Sequence, residues 1–294
     1  MKLDREQLRK TVVEIQTNAQ AALGEEGTLR LLEKGLDWDL SGTLRAGGVL
    51  VFPHMKIDYS GHQIAACAQA CLDSGSDRVI VISVLHPFTD EMEVARNRVA
   101  EGGDVTQEEL RGIQGTGIAG RDEWRGDHAL LNWRFIWEAE IRRRGLKEHQ
   151  IPEVIERYPH LTGGKPETLP GIEALQEIAK DAVIVTTADG FHHGIGYGVP
   201  PEEAFYPDEQ GLARARAVME EGMALLEQGN YWGYNQHCLG SRSDARDTGP
   251  VYHYLRGPLK GKLLDLVYRD SRDLYNKPPP TWVAGALIEW VPVG

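Results

Sequence analysis

The sequence has few cysteines and no long apolar run, and each shortage excludes a class of protein. Its 294 residues include three cysteines, Cys67, Cys71 and Cys238, which are too few for a disulfide framework and favour a reducing compartment. No apolar stretch approaches about eighteen residues, and no apolar segment stands near the N-terminus, so we expect neither a membrane helix nor a signal peptide. These features predict a soluble, cytoplasmic protein.

Positive charge is also scarce. The chain carries 32 lysines and arginines against 44 aspartates and glutamates, which gives a formal net charge of −12. This balance opposes binding to the phosphate backbone of nucleic acids, which requires a basic surface. We therefore expect neither a nucleic acid nor a membrane as the partner.

The chain is long enough to bury the core of one large domain, and no repeat or linker divides it. Apolar residues at a helical period predict helices over Asp4–Leu23 and Thr28–Leu36. Nothing in them points to catalysis, so a role in packing or oligomerisation is the default. The predicted organisation is an N-terminal helical segment, residues 1–46, packed on a single α/β domain, residues 47–294.

Apolar and β-branched runs predict the strands of a sheet. The run Ala182–Thr187 is typical of a strand that is buried on both faces. Further strands are predicted at Val49–Phe52, Arg78–Ser83, Ile151–Tyr158, Leu263–Tyr268 and Thr281–Trp290. Helices are predicted from Ser60, as the capping residue, to Asp73 and over Ala129–Arg144, Leu169–Lys180 and Asp208–Gln228. The alternation predicts an α/β fold in three layers, with a mostly parallel central sheet flanked by helices.

Three of the predicted strands lead into residues that can carry chemistry. The first runs into His54, the second into His86, and the third into a glycine-rich loop with Asp189, His192 and His193. The first two strands and the helix between them form a βαβ unit, so their imidazoles should meet at one edge of the sheet. Two imidazoles at one edge favour a metal site, with packed core histidines as the alternative. Because adjacent side chains point differently, we expect one histidine of the loop pair to face the site and the other to pack or cap.

Two polar stretches are predicted as long loops. Phe88–Arg125 contains GTGIAG, but no strand precedes that motif and no clear helix follows, so a lid or substrate loop is favoured over a dinucleotide site. Asn230–Gly261 has no period and is predicted to be a surface loop. Between the two, Asp127 and His128 precede a predicted helix, and we favour a capping role for His128 over one in the site.

Six segments, in order along the chain, carry the pattern of a known family. They are Pro53-His54 with Tyr59-Ser60-Gly61, the segment ending at His86, Asp127-His128, Ala188 to His192, Tyr268 to Asp273, and Trp282 to Ala286. In the same order they resemble the PHAGYxYSG, GPSH or GPNH, EHS, SSDFxH, YxTSGD and YAAGA segments of the Memo family. The resemblance extends from about Gly47 to Trp290.

The Memo family is structurally similar to the class III extradiol dioxygenases, in which two histidines and a glutamate hold a non-haem iron and a further histidine is the acid/base. The resemblance implies that His54 and His86 are metal ligands and that Asp273 is the third ligand. The alternatives for this third position are Asp270, Asp244 and Asp247. The departures from the family pattern are Met55–Ile57 in place of AGY, Val84–Leu85 in place of GP, Leu131 in place of the EHSxE carboxylate, and a longer segment at Tyr231–Gly261. They predict altered pocket walls and a specialised substrate cover.

The resemblance implies that His192, with Asp189, belongs to the acid/base set, and His193 is a further candidate at the catalytic site. We expect His192 to transfer a proton and Asp189 to raise its pKa and orient its ring. His193 is expected to point toward packing or a supporting contact.

These observations predict a mononuclear non-haem Fe(II) oxidoreductase of the dioxygenase type that acts on a small organic molecule. Copper and zinc are the alternative metals. One alternative function is a Memo-like copper- or peptide-binding redox or signalling module without oxygenase activity. Another is a metal-dependent hydrolase with Asp189 or His192 as the base. The expected partners are a small-molecule substrate, O₂ and a second copy of the chain in a homo-oligomer.

Overall fold

The computed structural model describes residues 5–87 and 89–294, with residue 275 described by its backbone alone. In these residues eight strands form one sheet: β1 (Val49–Phe52), β2 (Arg78–Ile82), β3 (Gly112–Gly115), β4 (Glu153–His160), β5 (Val183–Thr187), β6 (Phe191–Gly194), β7 (Leu259–Asp270) and β8 (Thr281–Pro292). The helices are α1 (Arg5–Gly35), α2 (Ser41–Arg45), α3 (Ile57–Asp73), α4 (Asp90–Ala100), α5 (Leu131–Arg144), α6 (Ile172–Ala179), α7 (Glu209–Glu227), α8 (Tyr231–Ser241), α9 (Thr248–Arg256) and α10 (Arg272–Tyr275).

The sheet is open and mixed. Its strand order is β3-β4-β2-β5-β1-β8-β6, and β7 pairs with β8. The four central strands β4, β2, β5 and β1 are parallel, whereas β3, β6, β7 and β8 pair antiparallel. The α/β class is confirmed, but the expected predominance of parallel pairing is not, because β8 pairs antiparallel with β1, β6 and β7, and β3 pairs antiparallel with β4.

Alternate residues of the buried strands pack on opposite faces of the sheet, as strand geometry requires. Val183 and Val185 of β5 join one apolar cluster, to which α1, α3 and α5 contribute. Ile184 joins a second cluster on the other face, where α6, α7 and α9 pack. The helices therefore cover both faces of the sheet, which explains why the strand at Ala182–Thr187 reads as a continuous apolar run.

The N-terminal segment packs on the main domain through α3 and α5. The two predicted helices form α1, with a break at Gly24, whose φ of 59° lies in the left-handed region that favours glycine. Asp4, where the first helix was predicted to begin, lies outside the described residues. Ser60 is not the cap of the next helix: α3 begins at Ile57, and the Ser60 hydroxyl donates to the Met55 carbonyl over 3.3 Å.

Both predicted loops contain regular structure, which corrects both predictions. The first stretch includes α4 and β3, so a strand directly precedes GTGIAG, and the second is largely helical. Phe88 lies outside the described residues, but α4 follows it, with Thr89 as a cap that accepts from the Met92 N–H. The second stretch forms α8 and α9, and the side chain of Asn230 caps α8. Buried side chains on each helix hold it against the domain, a tertiary effect that the weak local period of α4 and α8 does not reveal. In the described part of the chain, no helix has both the length and the apolar character needed to cross a bilayer.

Candidate metal centre

The predicted strand-end residues line one cavity of about 430 Å³ at the carboxyl edge of the parallel strands. His54 follows β1, His86 follows β2, and Asp189 follows β5. The predicted parallel orientation of β1 and β2 is confirmed, but the two strands do not pair with each other, because β5 lies between them. The two imidazoles still meet, with ring centroids 5.4 Å apart, since all three strands end at the same edge. The remaining walls come from α1, α4 and the segment between α8 and α9.

His54 is buried at the centre of the polar side chains in this cavity. Its backbone N–H donates to Asp189 Oδ1 over 3.0 Å, and its ring Nδ1 lies 3.1 Å from Thr187 Oγ1. Its Nε2 lies 3.1 Å from Asp244 Oδ2 and 3.8 Å from Asp189 Oδ2. Gln16 of α1 donates to the His54 carbonyl over 3.2 Å. The ring is therefore held in place with Nε2 directed at two carboxylates.

These contacts favour a positive charge on His54 or beside it, because its ring lies next to two carboxylates. Burial by itself would lower the pKa of His54, but Asp189 and Asp244 outweigh burial and raise the pKa to about 9. Burial, opposed by His54 and reinforced by Asp244, raises the pKa of Asp189. Burial would also raise the pKa of Asp244, but His54 and His192 lower it. In the metal-free chain a proton on His54 supplies the positive charge between the carboxylates, and a bound cation would replace that proton.

His86 is oriented by a buried carboxylate. Its Nδ1 lies 3.0 Å from Asp127 Oδ1, and its backbone N–H donates to Asp127 Oδ2 over 2.8 Å. Burial would raise the pKa of Asp127, but His86 holds that pKa well below its usual range. When Nδ1 carries the proton, the lone pair of Nε2 is available to a metal. Metal-binding histidines are commonly held in this way by a carboxylate.

His128 also faces the cavity, which corrects the predicted capping role. Its ring stacks on His86 with centroids 4.2 Å apart and lies 5.9 Å from the ring of His54. The side chain that accepts from the Ala129 N–H is Asp127, over 2.9 Å. Burial and the neighbouring His86 lower the pKa of His128 to about 3, so this imidazole is neutral. Its Nδ1 is buried and has no hydrogen-bond partner among the described residues.

Two groups of three side chains in the cavity bring potential ligand atoms within 4.8 Å of one another. One group is His54, His86 and His128, and the other is His54, Asp189 and Asp244. Imidazole and carboxylate are the donors that iron, copper and zinc accept in proteins. The unpartnered Nδ1 of His128 and the demand for positive charge at His54 both fit a bound metal ion.

His192 and His193 point to opposite sides of β6, as expected for neighbours in a strand. His192 lines the cavity, and its Nδ1–H donates to the Arg242 carbonyl over 2.8 Å, which leaves the lone pair on Nε2. Burial lowers the pKa of His192 below 6.5, although Asp244 opposes this effect. The prediction that the pKa of His192 is raised is therefore wrong. His193 packs in an aromatic cluster, where its Nε2 accepts from the Phe205 N–H over 3.0 Å.

The four aspartates considered for the third ligand lie in different places. Asp244 reaches His54, whereas the structure brings none of the other three into either group. Asp273, the predicted ligand, is half exposed because it lies on the short helix α10, beyond the end of β7. The other three bind elsewhere: Asp273 to Arg269, Asp270 to Arg272, and Asp247 to the N–H of Thr162.

Several supporting residues were not predicted from the sequence. Asp127 was assigned to a helix cap, although it stands in the segment that resembles EHS, and this position could have suggested a role beside the site. Thr187 is the last residue of β5, and its side chain contacts His54 only because β5 and β1 are neighbours. Gln16 lies on a helix in which no motif indicated a function.

No model of a known protein family matches the chain, and no curated protein matches it either. The residues of this cavity are therefore the basis on which a function is proposed.

Proposed function

We propose that the chain is a mononuclear metal enzyme that acts on a small organic molecule, with His54 and His86 as ligands from the first group, beside His128, and Asp244 from the second group as the carboxylate ligand. The observation that carries this proposal is that His54 and His86 offer donor atoms within 4.8 Å of each other while a side chain holds each ring at Nδ1. A metal site needs both features, because a ligand that can rotate binds weakly. Asp244 takes the third position in place of Asp273 because it lies 3.1 Å from His54 Nε2.

Fe(II) is the metal that we propose, and copper and zinc are the alternatives. Bound by two imidazoles and one carboxylate, Fe(II) supplies open coordination positions at which O₂ and a substrate can be brought together. The resemblance to the Memo family, and through it to the class III extradiol dioxygenases, supports this choice. The helices on both faces of an α/β sheet are consistent with that class, and an analogy of fold carries no information on the substrate.

The side chains around the proposed metal have separate tasks. His192 accepts and returns a proton at Nε2, since its Nδ1–H is held by the Arg242 carbonyl. Asp189 holds the His54 backbone through its Oδ1 atom. The cavity of about 430 Å³ is within the range of small-molecule sites, which supports a small organic substrate.

The first test is the metal content of the purified chain, measured by elemental analysis after exposure to Fe(II), copper and zinc. The variants His54→Ala and His86→Ala should each lower metal content by about tenfold or more, because each removes a ligand. His149→Ala is the matched control, since His149 is exposed and distant in sequence from every proposed ligand. Full metal occupancy in the double variant His54→Ala/His86→Ala would contradict the proposal.

Anaerobic loading with Fe(II), followed by O₂, then separates the candidate functions. An optical change with O₂ uptake in the presence of a substrate supports the dioxygenase-type enzyme. Tight copper binding without any reaction toward O₂ would favour the redox or signalling module. Turnover that needs zinc and consumes no O₂ would favour the hydrolase.

A further inference from the structure

Two arginines in the cavity wall have no partner in the described part of the chain. Arg96 lies on α4 and Arg246 lies between α8 and α9, and both line the cavity. Arg246 is only 7% exposed, and Nε of Arg96 is buried without a hydrogen bond. No hydrogen bond or ion pair joins either guanidinium to another described residue. An unpaired charge in such a place is costly, which indicates that a partner is missing.

The acids near the two guanidiniums bind elsewhere: Asp247 at the Thr162 N–H, Asp244 at His54, and Glu93 at Arg5. Their charges act on the arginines only at a distance. Both arginines line the same cavity, and burial and the like charge of Arg246 lower the pKa of Arg96 to about 10. Both guanidiniums remain charged at neutral pH.

A third polar group without a partner lies nearby, two residues before Thr162, whose N–H binds Asp247, the neighbour of Arg246 in the chain. His160, at the end of β4, is 1% exposed, and both of its ring nitrogens lack a hydrogen bond in the described part of the chain. Burial lowers the pKa of His160 to about 4, and Arg96 and Arg246 contribute to this shift although Asp247 opposes it. Two cations and an unpaired donor are therefore gathered in a chain whose net charge is −12.

We propose that Arg96 and Arg246 bind the carboxylate group of an acidic small-molecule substrate. An anion between the two guanidiniums removes their repulsion and accepts charge-assisted hydrogen bonds from both. Asp244 and Asp247 already add negative charge nearby, so a singly charged carboxylate balances the pair better than a doubly charged phosphate. This inference rests on the proposed function, because it assigns the substrate class of the same cavity.

The test is calorimetric titration of the full, metal-loaded chain with benzoate, with succinate and with benzamide, the uncharged counterpart of benzoate. Benzoate or succinate should bind, and benzamide should bind at least about tenfold more weakly than benzoate. Arg96→Gln and Arg246→Gln should each weaken carboxylate binding by about ten- to a hundredfold, the loss expected for one charge-assisted contact. Arg246→Lys should recover part of it, which also covers the case in which Arg246→Gln folds poorly. Arg142→Gln is the control, since it removes an equal charge from an exposed ion pair with Glu138 and should leave binding unchanged.

The inference is overturned if neither carboxylate binds, if benzamide binds as tightly as benzoate, or if the glutamine variants bind like the unmodified chain. Inorganic phosphate that binds more tightly than both carboxylates and is lost in the same variants would also overturn it, in favour of a phosphorylated substrate. Metal content is measured on the same samples. If the samples bind a carboxylate but hold no metal, only the proposed function is contradicted. If they hold metal but bind no carboxylate, only the assignment of the arginines is contradicted.

Discussion

Two regions of the cavity wall carry opposite kinds of electrostatic demand. The sheet edge, formed by His54, His86 and Asp189 at the ends of parallel strands, surrounds its histidines with carboxylates and calls for a cation. The helical cover, which we define as α4 together with residues 242–247, gathers unpaired guanidiniums and calls for an anion. Asp244 belongs to the cover but reaches His54 at the edge. A metal cation and an acidic substrate would therefore satisfy the two regions together.

The two regions also differ in how their side chains are positioned. At the sheet edge, neighbouring strands hold the backbone, and buried partners such as Thr187 and Asp127 fix the rings. In the cover, the described residues give the guanidiniums of Arg96 and Arg246 no such partner. We infer that the edge is organised before ligands bind, whereas the arginines of the cover acquire their contacts from the substrate.

The largest expected effect comes from His192, whose Nε2 carries the lone pair beside the sheet edge. His192→Ala should reduce turnover by about two to four orders of magnitude while the metal stays bound, the loss expected for one general acid/base. Rate and metal content are measured on the same sample. His193→Ala should reduce turnover less, because its ring packs against Phe205 outside the cavity. If His192→Ala loses its metal, the residue is a ligand and its assignment as the acid/base is wrong.

A smaller effect is expected for Asp127, which tests whether the edge depends on its buried partners. Asp127→Asn keeps the shape of the side chain but weakens the hold on His86 Nδ1, so metal affinity should fall by about ten- to a hundredfold. Affinity is measured by competition with a chelator of known strength. Asp122→Asn, at a side chain that is 76% exposed, is the control. Equal affinity in both variants would remove Asp127 from the metal centre.

The smallest expected effect is that of pH on metal affinity, about tenfold per pH unit, and it distinguishes the sheet edge from the helical cover. Because the pKa of His54 is raised to about 9, its proton must leave when a metal binds. Metal affinity should therefore rise about tenfold per unit from about pH 7 and level off above about pH 9. Carboxylate binding at the arginines should change little in this window, since both guanidiniums remain protonated. A flat metal affinity would show that His54 is not protonated in the metal-free chain.

The raised pKa of His54 also affects the stability of the metal-free chain. A raised pKa means that the folded chain holds the His54 proton more tightly than the unfolded chain does. The contribution of His54 to the free energy of unfolding is therefore complete below about pH 6.5 and is lost as the pH rises through about 9. Urea unfolding at a series of pH values measures it, and the His54→Ala variant should lack this dependence.

The regular strands and the strand-end residues could be predicted from the sequence. Val49–Phe52 has the predicted bounds, and the strand before Asp189 begins one residue later than predicted. A strand that is buried on both faces needs consecutive apolar residues, and this local requirement is visible in a single chain. His54, His86 and Asp189 could then be placed at one edge because parallel strands end together.

The prediction failed where packing across long sequence separations decides the structure. The stretches that form α4 and α8 have a weak local period, and contacts with the rest of the domain stabilise these helices, whereas the prediction missed the amphipathic period of α9. Asp273 was preferred to Asp244 from the resemblance, because no local rule states which aspartate reaches His54. The mixed sheet was missed for a similar reason: β8 pairs antiparallel with β1, β6 and β7, and β3 with β4, pairings that no single segment encodes.

The sequence alone specified the α/β class and the chemistry at the strand ends, because both follow from the period and the order of residues along the chain. The tertiary structure decided which carboxylates support the imidazoles, which loop histidine faces the cavity, and where the unpaired arginines lie. These outcomes depend on contacts between segments that are far apart in the sequence. His86 and Asp127 are 41 residues apart, and His54 and Asp189 are 135 residues apart. Such distances are set by the packing of the whole domain.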